Sequence, residues 1–173
     1  MRLTYKQVFY SSYSALEVEL SKNGIFFCIA NCIGKNENGN FTYDWKQKNI
    51  SKMSVSELCH LFEGLKAFRE GKEVYEEKAL KLNNGKYKNY QFPHKSKNGD
   101  CRVGWNLYEN KLQFIIKNRV NSFYTVQNMD ISRLEHFLGY IINMAFNYDT
   151  MKNAENSFKD TDIEDEEYQG GGY

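Results

Sequence analysis

A chain of 173 residues with a formal charge of +1, thirteen Tyr, twelve Phe, two Trp and one Pro is long enough for a single domain with a sizeable core and too aromatic for a disordered polymer. No apolar run approaches the ~18 residues of a membrane span, and the opening MRLTYKQVFYSS lacks the apolar stretch of a secretory signal, so the composition predicts a cytoplasmic protein with no membrane partner. The near-neutral total hides a division: residues 155 to 173 hold Glu155, Asp160, Asp162, Glu164, Asp165, Glu166 and Glu167 against Lys159 alone, a net of −6 that leaves residues 1 to 154 at about +7.

Taken in chain order, YKQVFYSSYSALEVEL (5 to 20), GIFFCIANCIG (24 to 34) and FTYDWKQKNIS (41 to 51) are rich in aromatic and β-branched residues and are separated by the turn compositions SKNG and KNENGN. They predict three or four strands. Ser54 and Glu57 then form an S-x-x-E capping box, with Met53 and Leu58 at the staple positions, and Leu58, Leu61, Phe62 and Leu65 repeat at the spacing of one helical face. The second half follows the same plan. KYKNYQFPHK, CRVGWNLYE, KLQFIIKNRV and NSFYTVQN read as strands; Asp130 caps a second helix whose apolar face is Leu134, Phe137, Leu138, Ile141, Ile142 and Ala145, with Met129 in the staple position. MSVSELCHLF (53 to 62) and MDISRLEHFL (129 to 138) share M-x-[VI]-S-x-L-x-H, their starts 76 residues apart. The expected fold is α+β, a pseudo-duplicated ββββα unit with two antiparallel four-stranded sheets and two helices over residues 1–150, followed by an acidic flexible tail over 151–173.

Cys28, Cys32, Cys59 and Cys101 lack the spacing of a disulfide framework and read as reduced thiols. His60, His94 and His136 stand apart from one another, and neither CxxC nor HxxxH occurs, so no metal and no cofactor is expected. His60 and His136 occupy matching places on the two helices, which suits a structural or surface role better than catalysis.

Period-two alternation assigns the strand faces. Cys101, Val103, Trp105 and Leu107 oppose Arg102, Asn106 and Tyr108; Leu112, Phe114 and Ile116 oppose Lys111, Gln113 and Lys117; Phe41, Tyr43 and Trp45 oppose Thr42, Asp44, Lys46 and Lys48. A sheet with one apolar face and one face of cations, amides and rings matches the needs of a single-stranded nucleic acid, whose phosphates want cations and whose unstacked bases want flat partners. The expected phosphate contacts are Lys22, Lys46, Lys48, Lys88, Arg102, Lys111, Lys117 and Arg119, and the expected stacking residues are drawn from Tyr10, Tyr13, Tyr90, Trp105, Tyr108 and Tyr124. In the tail, Asp162, Ile163, Glu164, Asp165, Glu166, Glu167, Tyr168 and Tyr173 form a candidate partner-binding or autoregulatory segment.

LSKNGIFFCIANCIG followed by YDWKQKNISKMSVSEL resembles the Whirly proteins, whose corresponding segment reads L-S-K-x-G, a hydrophobic strand, Y-D-W-x-x-K and a Ser-Val-rich helix start. The matching positions are Leu20, Ser21, Lys22, Gly24, Tyr43, Asp44, Trp45, Lys48, Ser54, Val55 and Glu57. The resemblance implies two sheets packed roughly perpendicular, helices closing the core, tetramers assembled through helices, and binding of single-stranded DNA or RNA along sheet edges between protomers; a homo-oligomer, dimer or tetramer, is expected for this chain. Two features depart from it: the Lys-Gly-Lys-Ala-Ala-Leu element is missing, with YKQVFYSSYSAL in its region, and the acidic tail is similar to those of bacterial and phage single-stranded-DNA-binding proteins, which recruit replication partners. The expectation is a non-catalytic, sequence-tolerant single-stranded-DNA-binding protein of phage or bacterial replication, recombination or repair. The rivals are an RNA-binding or annealing protein, a nuclease that would have to draw on Glu17, Glu19 and Asp44, and a protein-interaction domain.

Overall fold

A computed structural model describes residues 4–71, 80–82, 87–96, 99–108 and 111–148. The first sheet is built from β1 (Tyr5–Tyr10), β2 (Ser14–Ser21), β3 (Gly24–Lys35), β4 (Phe41–Tyr43) and β5 (Asn49–Met53), and α1 (Val55–Arg69) follows it. The second sheet holds β6 (Leu80–Leu82), β7 (Tyr87–Ser96), β8 (Gly99–Tyr108), β9 (Lys111–Lys117) and β10 (Asn121–Thr125), and α2 runs over 131–148. Every strand pair is antiparallel. Over the described residues the protein is therefore α+β with two antiparallel sheets and two helices, each sheet carrying one short strand more than the four expected.

The extra strand of the first sheet has a local cause. The stretch 41 to 51, expected as one strand, is two: β4 pairs with the far end of β3 (Cys32↔Tyr43, Lys35↔Phe41) and β5 with its near half (Ile25↔Met53, Ile29↔Asn49). Between them, Asp44 accepts a hydrogen bond from the Gln47 amide at 3.2 Å and caps a 3-10 turn over Trp45–Gln47. A short acidic side chain that bonds the backbone three residues on competes directly with the ladder. In β3 the register shifts between Cys32 and Gly34, and Gly34 takes φ +139°, which a side chain would resist.

The register fixes which residues share a face. Leu16, Val18, Ile25, Phe27, Ile29 and Met53 of the first sheet, and Cys101, Val103, Trp105, Leu112, Phe114, Ile116 and Tyr124 of the second, belong to one buried cluster with Leu58, Leu61 and Leu65 of α1 and Leu134, Leu138, Ile141 and Ala145 of α2. The sheets meet ring to ring where Phe27 lies 5.0 Å from Phe114. α1 reaches the second sheet and α2 reaches the first. Trp105 of β8 donates its indole N–H to the Leu61 carbonyl of α1 at 2.9 Å, while Arg133 of α2 stacks on Phe9 of β1 and donates to the Val8 carbonyl. The helices touch through an Arg69–Glu135 ion pair and through Gly139, where an added Cβ would meet the Phe62 ring at 3.4 Å.

The capping box forms as expected: Ser54 Oγ accepts from the Glu57 amide at 3.1 Å and Glu57 Oε2 accepts from the Ser54 amide at 2.8 Å. Met53 and Leu58 are both buried. The second staple does not form. Met129 is 92% exposed, because a 3-10 turn over Asn128–Asp130 precedes α2 and turns that residue away from Leu134. All four cysteines are free thiols.

Candidate nucleic-acid interface

On the outer face of the first sheet, Tyr10, Ala15 and Ala30 stand side by side across β1, β2 and β3. Two alanines in adjacent strands leave a flat floor, and both are fully covered by what lies above them. Past this row β4 brings in Phe41, Thr42 and Tyr43, and the Asp44 turn brings in Trp45. These residues and Tyr10 line an open depression of about 590 Å³. The Tyr10 and Tyr43 rings are 5.5 Å apart and the Tyr43 and Trp45 rings 6.4 Å apart, each pair tilted.

The depression is held open by hydrogen bonds that do not use the ring faces. The Tyr43 hydroxyl donates to the Ser11 carbonyl at 2.5 Å. Burial, and then the neighbouring Cys32 and Tyr10, raise the Tyr43 phenol above its ordinary value, so it stays protonated as that donor. Thr42 donates to the Gly34 carbonyl at 3.2 Å, which ties β4 to the bulge. Lys35 Nζ sits 4.8 Å from the Phe41 ring centroid and Lys46 is exposed next to Trp45 in its turn; Tyr13, 82% exposed, lies in the β1–β2 turn, and its carbonyl accepts from the Cys32 amide. Four rings around a concave surface, with Lys35 against Phe41 and Lys46 next to Trp45, can take flat apolar groups and hold an anion beside them.

Of the residues expected from the sequence, Tyr10 lines the depression, Lys46 is exposed next to Trp45 in the 3-10 turn, and Tyr13 is exposed in the β1–β2 turn without lining it. Two stacking candidates are corrected. Trp105 is 1% exposed and Tyr124 fully buried, because β8 and β10 turn them onto the core face; their rings are unavailable to a ligand. Trp105 packs edge-on against Phe114 at 5.4 Å, and burial, with Asp130 adding to it, raises the Tyr124 phenol. Lys48 is also corrected as a ready phosphate contact: its ammonium is bound to Glu17 Oε1 at 3.2 Å. Lys22 is exposed in the β2–β3 turn. Lys111, Lys117 and Arg119 lie on β9 and the turn after it and do not line the depression, and Arg102 of β8 donates to the Gln91 carbonyl at 3.2 Å. Backbone pairing sets Lys88 opposite Leu107, Tyr90 opposite Trp105 and Tyr108 opposite Lys111, and their side chains lie outside the described set. So do Asp162, Ile163, Glu164, Asp165, Glu166, Glu167, Tyr168 and Tyr173.

Phe41, Tyr43, Trp45 and Lys35 are the residues that sequence reasoning passed over. Alternation put the three rings on the apolar side of a continuous strand, and only the Asp44 break changes that. The signal was present in the sequence as D-W-K-Q, an acid three residues before a residue whose amide it can cap.

Among the described residues no group of three or more His, Cys, Asp or Glu side chains could hold a metal ion, and no helix is long and apolar enough to cross a membrane. Glu17 and Glu19 are bridged by lysine, and Asp44 caps the turn. His94 meets Glu57 at 2.6 Å, His60 rests edge-on against Phe92, and His136 contacts the Ser132 carbonyl within its own helix. No protein-family model matches the sequence, and a search of curated proteins finds no match to it.

Proposed function

We propose that this chain is a non-catalytic, sequence-tolerant single-stranded-DNA-binding protein, and that the strand is gripped at the depression of Tyr10, Phe41, Tyr43 and Trp45. The observation that carries the reading is the open depression lined by the exposed rings of Tyr10 and Phe41 and the half-buried rings of Tyr43 and Trp45, with Lys35 against Phe41 and Lys46 exposed next to Trp45. Unstacked bases offer flat faces whatever their identity, so ring contacts confer affinity without sequence preference, and lysines neutralise the phosphates that run past them. A duplex hides those faces, and the depression then has nothing to stack on.

The finer architecture belongs to the same proposal: a Whirly-like pseudo-duplicated ββββα unit with sheets roughly perpendicular, assembling as a homo-oligomer through its helices. The acidic residues 155–173 serve as a segment that recruits replication or recombination partners or competes with DNA for the basic surface, in a phage or bacterial setting.

Titration of a labelled oligo-dT with the full chain tests this. Phe41→Ala removes a rim ring that makes no core contact and is expected to weaken binding by about 1–3 kcal/mol, the worth of one base–aromatic stack. The logarithm of the binding constant should fall with log salt by about 0.7 for each phosphate neutralised. Binding that ignores both Phe41→Ala and salt, or that prefers duplex, overturns the reading. A preference for a matched RNA oligomer would reassign the ligand through its 2′-hydroxyl. Removal of residues 155–173 should tighten DNA binding if the tail competes, and unchanged affinity would confine the tail to recruitment.

A further inference from the structure

The outer face of the first sheet holds a carboxylate that packing does not explain. Glu17 lies mid-way along β2 in the row Val8, Glu17, Cys28, Ile50, one row from Tyr10, Ala15 and Ala30, and is only 7% exposed. Each of its oxygens holds one ammonium: Oε2 meets Lys6 Nζ at 3.1 Å and Oε1 meets Lys48 Nζ at 3.2 Å. Lys6 also reaches Glu19 Oε2 at 3.5 Å. Lys48 closes the 3-10 turn that carries Trp45, so the pair of bridges abuts the aromatic depression. Two cations on the face that carries the rings are thus neutralised from within.

To an ammonium group, a carboxylate and a phosphodiester are equivalent partners, each offering anionic oxygens at hydrogen-bonding distance. A phosphate arriving beside Trp45 meets a Lys48 ammonium whose charge is already paired with the Glu17 carboxylate, and Lys6 is held by the same carboxylate. We propose that Glu17 is an internal competitor for backbone phosphate, holding Lys6 and Lys48 back from a strand seated on the aromatic depression and so limiting both its affinity and its salt dependence. The proposal rests on the single-strand-binding reading above.

A four-protein cycle tests it: the wild type, Glu17→Gln, Lys6→Gln with Lys48→Gln, and the triple variant, each titrated with labelled oligo-dT at several salt concentrations and melted to establish folding. Glu17→Gln keeps the shape of the side chain and is expected to tighten binding about fivefold, the upper end of what one ion pair with a solvent-accessible lysine contributes. Its salt slope should steepen by about 0.7 for each lysine released. The double lysine variant should bind within about twofold of wild type, since those cations are already withheld, and the triple variant should lose the whole gain. Unchanged affinity and slope in Glu17→Gln overturn the proposal, and a lowered melting temperature with no change in binding reduces Glu17 to a structural bridge. A gain that survives in the triple variant is long-range repulsion and overturns it equally. If Glu17→Gln does not fold, Glu17→Asp shortens the reach to both lysines and is read by the same criteria. Wild-type binding that depends on Phe41 while Glu17→Gln stays flat sinks this inference alone, whereas absence of binding in all four proteins sinks the reading beneath it as well.

Discussion

Trp105 and Trp45 have opposite fates for reasons that operate at single side chains. Trp105 finds a hydrogen-bond acceptor for its indole at the Leu61 carbonyl and an edge-to-face partner in Phe114, so its polar handle is satisfied in the buried core. Trp105→Ala is expected to cost about 3–5 kcal/mol of stability, read as a loss in denaturation midpoint. Cys28 makes a different prediction. Burial pushes its thiol up to about 11, above its ordinary 9.0. In the unfolded chain the thiol ionises first, so folding stability is complete below about pH 9 and declines as pH rises toward 11. Melting at pH 7.5 and pH 10.5 should show a smaller alkaline loss in Cys28→Val than in wild type; equal losses would remove Cys28 as a cause. The buried Tyr124 phenol acts in the same direction.

The elements show how one residue can serve two structures at once. Glu57 uses Oε2 to cap α1 at the Ser54 amide and Oε1 to hold His94 of β7 at 2.6 Å, so the start of the first helix is pinned to the second sheet. Ser54→Ala removes only the reciprocal cap and should cost about 1 kcal/mol. Glu57→Ala removes the cap and leaves the buried His94 ring without that carboxylate, so its loss in a urea titration should exceed that of Ser54→Ala. Equal losses would show that the contact to β7 adds nothing. In the same way, the Asp44 turn decides whether 41 to 51 is one strand or two, and thereby whether Trp45 stands beside Tyr43 or returns to the alternation of a ladder.

At the scale of the whole molecule the two sheets are bound by polar contacts as well as by the core. The Asn49 carboxamide nitrogen lies 2.7 Å from the Val120 carbonyl and 3.2 Å from both the Ile116 carbonyl and Ser122 Oγ, while Asn118 donates to Asn49 Oδ1 at 2.6 Å. Ser14 Oγ donates to the Phe123 carbonyl at 2.6 Å. A shared core with such bridges should unfold in one step, with far-ultraviolet and tryptophan signals coincident. Asn49→Ala strands several acceptors and is expected to cost about 1–3 kcal/mol. Separate transitions for the two signals would show that the halves fold independently.

The elements dictated by neighbouring residues could be read from the chain directly. The capping box at Ser54 and Glu57, the helical face of Leu58, Leu61 and Leu65, the second helix, and the longer strands follow from periodicity and turn chemistry within a few positions, whereas the division of 41 to 51 into β4 and β5 and the short β6 were not expected. Alternation also divided each strand into two faces. Which face is covered, and by what, depends on contacts far apart in sequence. Tyr43 is anchored to Ser11 across 32 positions and Lys48 is bound by Glu17 across 31, and Trp105 meets Leu61 across 44. No local pattern encodes those partners, because they are set by the packing of sheet against sheet and helix against sheet. The tertiary structure therefore decided which rings became core, which remained open to a ligand, and which lysines keep their charge available.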